Sequence, residues 1–136
     1  MKARHLTAVI ETAESNYAAY LEEVGGIAAT GKSLAVVKER MLEAIDVFVE
    51  TCETHGYEIP EELQGSYVID FRMDVRSFLS VYAGILTKAG LERLTGINQK
   101  QLWHYANGKV TPRRAQVEKI ENALHQLGNE LLSIHL

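Results

Sequence analysis

Gly26-Ile27-Ala28-Ala29-Thr30-Gly31-Lys32-Ser33-Leu34 is the stretch at which the chain changes period, and the fold reads outward from it. Ile27 to Thr30 is a short β-compatible run. Gly31-Lys32-Ser33 then turns the chain, and the Ser33 hydroxyl suits a helix N-cap because it can accept a backbone N–H that a helix start leaves unpaired. Beyond it Leu34, Val37, Met41, Ile45, Phe48 and Cys52 recur at steps of three and four. Lys38, Glu39, Glu43, Asp46, Glu50 and Glu53 lie mostly off that stripe, the pattern of a long amphipathic helix with one face to bury. Upstream, Leu6 to Glu11 and Tyr17 to Glu23, separated by Glu14-Ser15-Asn16 and closed by Gly25-Gly26, read as a hairpin. Downstream lies a loop from Thr54 to Ser66, marked by Gly56, Pro60 and Gly65. After it Tyr67, Ile69, Phe71 and Met73 alternate with Val68, Asp70 and Arg72, a fourth strand. Residues 1–73 are therefore expected to form a β-β-β-α-β module of the α+β class, one helix over one face of a sheet.

From Asp74 onward the period is helical, so residues 74–136 are expected to form a second, all-α domain. Asp74 can cap a helix running to about Ala83. Thr87 can cap a second, Lys88 to Leu94, which stops at Thr95-Gly96 with Ile97 beyond. Asn98 can cap a third, Gln99 to about Asn107, which ends at Gly108. Thr111-Pro112 suits the opening of a fourth, with Val117, Ile120, Leu124 and Leu127 on its apolar face. Aromatics two apart on a helix cannot share a face, so of Trp103 and Tyr105 the second is assigned to the core and the first to the surface or an interface. Leu131, Leu132, Ile134 and Leu136 are expected to pack on their own domain or on a second protomer.

A length of 136 residues, 46% hydrophobic and 24% charged with two prolines, suits two small globular modules and excludes a large multidomain enzyme. The one cysteine, Cys52, cannot form an internal disulfide, and with five scattered histidines it gives no zinc-ligand spacing. Cys52 continues the apolar stripe and is read as core; His5, His55, His125 and His135 have no partner at catalytic spacing. No apolar run is long enough to span a membrane, and Met1-Lys2-Ala3-Arg4-His5 has no apolar segment behind it, so a cytoplasmic, unprocessed protein without membrane contact is expected.

Charge divides the chain. Residues 1–73 hold six Lys/Arg against thirteen Asp/Glu, a net of −7, whereas residues 74–136 hold eight against five, a net of +3. Between Lys88 and Arg114 six basic residues face one acid, Glu92, a local surplus suited to phosphates.

Two enzymatic readings are set aside. Gly26 to Ser33 formally satisfies the P-loop pattern, but a nucleotide-holding sheet needs several βα units and this half supplies one helix, while Ile27-Ala28-Ala29-Thr30 reads as strand. Glu11, Glu22, Glu23 and Asp70 lie on strands, yet no spacing forces them together as two-metal hydrolysis requires. No cofactor is expected.

Leu91 to Tyr105, followed by Asn107-Gly108-Lys109, is a helix, a glycine turn and a second helix, with Leu91, Leu94, Ile97 and Leu102 placed to pin their crossing. Over Leu86 to Leu127 this resembles the helix-turn-helix of phage-repressor-like (XRE or Cro/CI family) regulators. Carried over, the resemblance makes Gln99, Lys100 and His104 the base-edge candidates, and Lys88, Asn107, Lys109, Arg113 and Arg114 the phosphate candidates. Glu92 departs from it, since a small residue usually stands there against the second helix, and looser or shifted packing is expected at that point.

Ala8-Val9-Ile10-Glu11, Tyr17 to Glu23, Gly26 to Leu34 and the helix bearing Glu43-Ala44-Ile45 are similar to HicB-type antitoxins, over about residues 5–73. That resemblance implies a partial RNase H-like domain without nuclease activity. It further implies sequestration of a small basic RNA-cleaving toxin of the HicA type, and repression of the operon's own promoter as a homodimer or higher even-numbered assembly. Glu39, Glu43 and Glu50, on the exposed side of the long helix, are the candidates for toxin contact. The alternative is a stand-alone dimeric repressor whose first module senses a ligand or dimerises.

Overall fold

A computed structural model describes residues 2–12 and 14–136; Met1, the first residue of the N-terminal stretch read above, and Ala13 lie outside them. The chain divides into two compact units, Met1–Asp74 and Val75–Leu136. The described residues are mixed α+β, with a four-stranded sheet and five α-helices.

The first unit runs β1 (Arg4–Thr12), β2 (Tyr17–Leu21), β3 (Ala28–Gly31), α1 (Leu34–His55), a 3-10 turn (Glu61–Leu63) and β4 (Tyr67–Met73). The sheet order is β3-β2-β1-β4, with β2 antiparallel to both its neighbours and β4 parallel to β1. A parallel partner cannot be reached by a tight turn, so α1 serves as the crossover that carries the chain from β3 to the far edge. Ser33 caps α1 as expected, its hydroxyl accepting the Val36 N–H at 3.2 Å, and Gly56 ends it with a left-handed φ of 69°.

Val37, Met41 and Ile45 of α1 are buried against Leu6, Ala8 and Ile10 of β1 and Ala19 and Leu21 of β2, with Phe48 half-buried beside them. Cys52 is buried further along the same stripe. Tyr67 packs at the margin of this core, where burial first and the Asp46 carboxylate second push its phenol above the usual range.

Several strand boundaries differ from expectation: β1 runs from Arg4 to Thr12, and β3 starts at Ala28 rather than Ile27. The second strand stops at Leu21, and Gly31 belongs to the third strand rather than to the turn. A Cβ at Gly31 would stand 2.8 Å from the Val37 backbone nitrogen, so this glycine is what lets the end of β3 approach the first turn of α1. The stretch that the P-loop pattern would use as a phosphate-cradling loop is instead paired with β2, from Ala28 opposite Tyr20 to Gly31 opposite Tyr17.

On the other side of the sheet His5, which has no partner at catalytic or ligand spacing along the sequence, meets one through the fold. His5 Nδ1 lies 2.8 Å from Asp70 Oδ2, both more than half exposed, and Arg72 pairs with Glu22 at 3.0 Å. Pairs so exposed contribute little stability. Glu23 accepts the Thr7 backbone N–H at 2.8 Å, so three of the four strand acids weighed for hydrolysis each serve a different local partner.

The second unit holds α2 (Val75–Val81), α3 (Lys88–Thr95), α4 (Gln99–Ala106) and α5 (Arg114–Leu132) around Leu79, Leu91, Ile97, Leu102, Tyr105 and Ile120. Thr87 and Asn98 cap α3 and α4 as expected, accepting the N–H groups of Gly90 and Lys100. Thr111-Pro112 does not open α5. Arg113 is still extended, at φ −72° and ψ 158°, so the helix begins two residues later and without a side-chain cap. Leu94 is 40% exposed and Thr95 6%. The period explains the exchange: Leu91 and Thr95, four apart, share the inner face, and Leu94 falls off it. Leu131, Leu132, Ile134 and Leu136 are all exposed, so the tail does not pack on its own unit.

If Gly31 is present for close packing, Gly31→Ala should cost about 1–3 kcal/mol through backbone displacement. Lys32→Ala should stay within about 0.5 kcal/mol of wild type. Urea unfolding of both variants checks this, and a neutral Gly31→Ala would contradict the close approach.

Candidate nucleic-acid interface

The second unit's exposed chemistry follows from how α3 and α4 are joined. Gly96 takes a left-handed φ of 76° and its N–H bonds the Glu92 carbonyl, which ends α3 sharply. Thr95 then staples the turn: its hydroxyl donates to the Leu91 carbonyl at 2.7 Å and accepts the Ile97 N–H at 3.1 Å. Buried Ile97 follows, and α4 starts at once.

In α4 Leu102 is fully buried and Tyr105 is 2% exposed, its hydroxyl accepting from Gln101 Nε2 at 3.0 Å. Burying those two positions turns Gln99, Lys100 and Trp103 outward. Trp103 is 51% exposed, as the two-apart reasoning required, and its ring meets the His104 ring edge-on. Among the three base-edge candidates, Gln99 and Lys100 are exposed in the first turn of α4, whereas His104 is half-buried.

The phosphate candidates are less uniform. Lys109 and Arg113 are exposed, Lys88 is half-buried, and Arg114 is exposed but paired with Glu118 at 3.2 Å. Asn107 folds back, its Nδ2 donating one N–H to the Trp103 carbonyl at 2.8 Å, which leaves its second N–H and its carbonyl oxygen over.

Two residues were missed or misread from sequence. Arg76 of α2 brings its guanidinium to the turn that follows α4, where a Cβ on Gly108 would meet its Nη1 at 2.7 Å. Being distant in sequence and on another helix, it gave no motif signal. Glu92, the departure from the helix-turn-helix pattern, reaches the start of α4. Its Oε1 accepts the backbone N–H of Gln99 at 3.1 Å and its Oε2 accepts Gln99 Nε2 at 3.3 Å, so it closes the start of α4 from the preceding helix.

Among the described residues no three His, Cys, Asp or Glu side chains are grouped so as to hold a metal ion, and no helix is long and apolar enough to cross a membrane. Comparison with protein-family models, with curated proteins and with solved structures finds no match.

The hydrogen bonds of the turn can be weighed directly. Thr95→Val keeps the shape but strands the buried Ile97 N–H, which should cost about 1–3 kcal/mol. Leu94→Ser, at an exposed position, should cost no more than about 0.5 kcal/mol. Equal losses on thermal unfolding would contradict the exchange of roles between the two residues.

Proposed function

We propose that the second unit is a helix-turn-helix DNA-binding domain of the phage-repressor-like kind, with α4 as the helix that enters the major groove. The observation that carries this reading is the first turn of α4. It is rigidly capped and backed by wholly buried Leu102, and it presents Gln99 and Lys100 to solvent beside a basic surface. Gln99 and Lys100, with His104 behind them, would read base edges. Lys88, Lys109, Arg113, Arg114 and the second N–H of the Asn107 amide would face the backbone, and Arg76 joins the phosphate candidates. A single such domain reads too few base pairs for useful specificity, and the exposed Leu131, Leu132, Ile134 and Leu136 are the surface through which a second copy would pair.

The acidic first unit, a β-β-β-α-β module similar to the partial RNase H-like domain of HicB-type antitoxins, would act by binding rather than turnover. Its partner is a small basic RNA-cleaving protein of the HicA type, met in the cytoplasm. Glu39, Glu43 and Glu50 are all exposed on α1, with Leu42 and Val47 exposed among them, giving a surface both acidic and apolar. Such a face steers a basic protein electrostatically and holds it by burial.

Fluorescence anisotropy with duplexes from upstream of the chain's own reading frame tests the first part. Lys100→Ala and Gln99→Ala should each weaken specific binding by about 1–3 kcal/mol, whereas Arg113→Ala should weaken binding to every duplex and reduce the salt slope by about 1. Unchanged affinity in both α4 variants would remove α4 from the interface. Co-expression with the product of an adjacent reading frame, if that product is short and basic, tests the second part. The full chain should rescue growth, and Glu39→Lys/Glu43→Lys/Glu50→Lys should slow association more than it speeds dissociation. Failure of the full chain to bind or rescue would leave a stand-alone repressor.

A further inference from the structure

Glu92 is an unusual residue to find at this place. It is the sole acid between Lys88 and Arg114, on a surface proposed to face phosphates, where a negative charge works against binding. Its two carboxylate oxygens are both spent on one residue seven positions on: the Gln99 backbone N–H at 3.1 Å and the Gln99 side-chain Nε2 at 3.3 Å. We propose that Glu92 is a positioning residue that fixes which way round the Gln99 amide faces, and so makes Gln99 select adenine over guanine. This rests on the DNA-binding reading of α4.

The chemistry is one of donors and acceptors. A carboxylate is acceptor-only, so it can be faced by the NH2 end of the Gln99 amide and repels the carbonyl end. With one N–H held by Glu92, Gln99 has its Oε1 and the second N–H to offer outward. That is one acceptor and one donor, the pair that adenine N6–H and N7 require. Guanine presents two acceptors, O6 and N7. To satisfy both, Gln99 would have to turn its NH2 outward, which would put Oε1 against the Glu92 carboxylate. The same contact therefore stabilises the adenine-reading orientation and penalises the guanine-reading one. The Gln99 backbone anchors the geometry, because its N–H is one of the unpaired donors at the start of α4 and Glu92 satisfies it.

Exchange of one atom reverses this logic. In Glu92→Gln the new Oε1 can still accept the Gln99 N–H, but the new NH2 then faces the Gln99 amide and is matched only by its carbonyl end. Gln99 would turn, and its NH2 would point outward. Glu92→Ala removes the bias altogether.

The full-length chain and its Glu92→Gln, Glu92→Ala and Gln99→Ala variants would each select from a randomised DNA duplex library, with thermal unfolding followed alongside. Wild type should enrich adenine at one position of each half-site, and Gln99→Ala should show no preference there. Glu92→Gln should shift that position from adenine towards guanine by roughly tenfold or more. Glu92→Ala should accept both bases. On the selected duplex, 7-deazaadenine at that position should weaken wild type and leave Gln99→Ala unaffected. An undiminished adenine preference in both Glu92 variants, or an equal loss of affinity for every duplex, would overturn the positioning role while leaving DNA binding intact. Enrichment of no sequence by the wild-type chain would overturn the DNA-binding reading and this inference with it.

Discussion

Burial of Leu102 and Tyr105 on one side of an eight-residue helix decides what the rest of the second unit can do. A helix this short has no stability of its own, so α4 exists because those two side chains close the core formed with Leu79, Leu91, Ile97 and Ile120. Once they face inward, the helical period leaves Gln99, Lys100 and Trp103 no position but outward. The turn before α4 is held by the Thr95 hydroxyl, which accepts the Ile97 N–H, while the Asn98 side chain and the Glu92 carboxylate satisfy donors at the start of the helix. Function, on the proposed reading, is the outer face of a packing solution.

The first unit depends on a corresponding constraint. The sheet can hide only one face, and α1 hides it because Val37, Met41 and Ile45 meet the inward residues of β1 and β2. The route of α1 across the sheet also places β4 parallel to β1, and it brings the first turn of α1 so close to β3 that position 31 has no room for a side chain. The apolar stripe thereby commits the acids of α1 to solvent. Charge separation along the sequence becomes charge separation between two independently packed units, which suits two partners of different chemistry.

Period-based signals made most of the secondary structure legible. Alternation marked the strands, and steps of three and four marked α1. Ser33, Thr87 and Asn98 announced their helices because capping is a local matter of one side chain and an N–H two or three residues on. The failures are those of longer reach or finer phase. Thr111-Pro112 looked like a helix start, but the chain stays extended through Arg113. Leu94 reads as core from its place at the helix crossing, and the phase of α3 gives that place to Thr95, a polar residue that can be buried because its hydroxyl makes two hydrogen bonds. His5 and Asp70, and Arg76 and Gly108, meet only through tertiary structure. Glu92 was visible as a departure from a motif, yet its consequence depends on where a turn delivers Gln99 seven residues later. Trp103 and Tyr105 are separable in the sequence because residues two apart on a helix point to different faces.

On the proposed reading, nucleic acid is met by the first turn of α4 and the basic segment after it, and by nothing in the sheet unit. Amide hydrogen exchange of the full-length chain, with and without duplex DNA, addresses this residue by residue, since contact and ordering slow the exchange of the amides involved. Exchange should slow over Gln99 to Trp103 and at the amide-bearing residues from Asn107 to Arg114, with residues 2–12 and 14–74 unchanged. Protection concentrated in the sheet unit, or absent from α4 at saturating DNA, would contradict it.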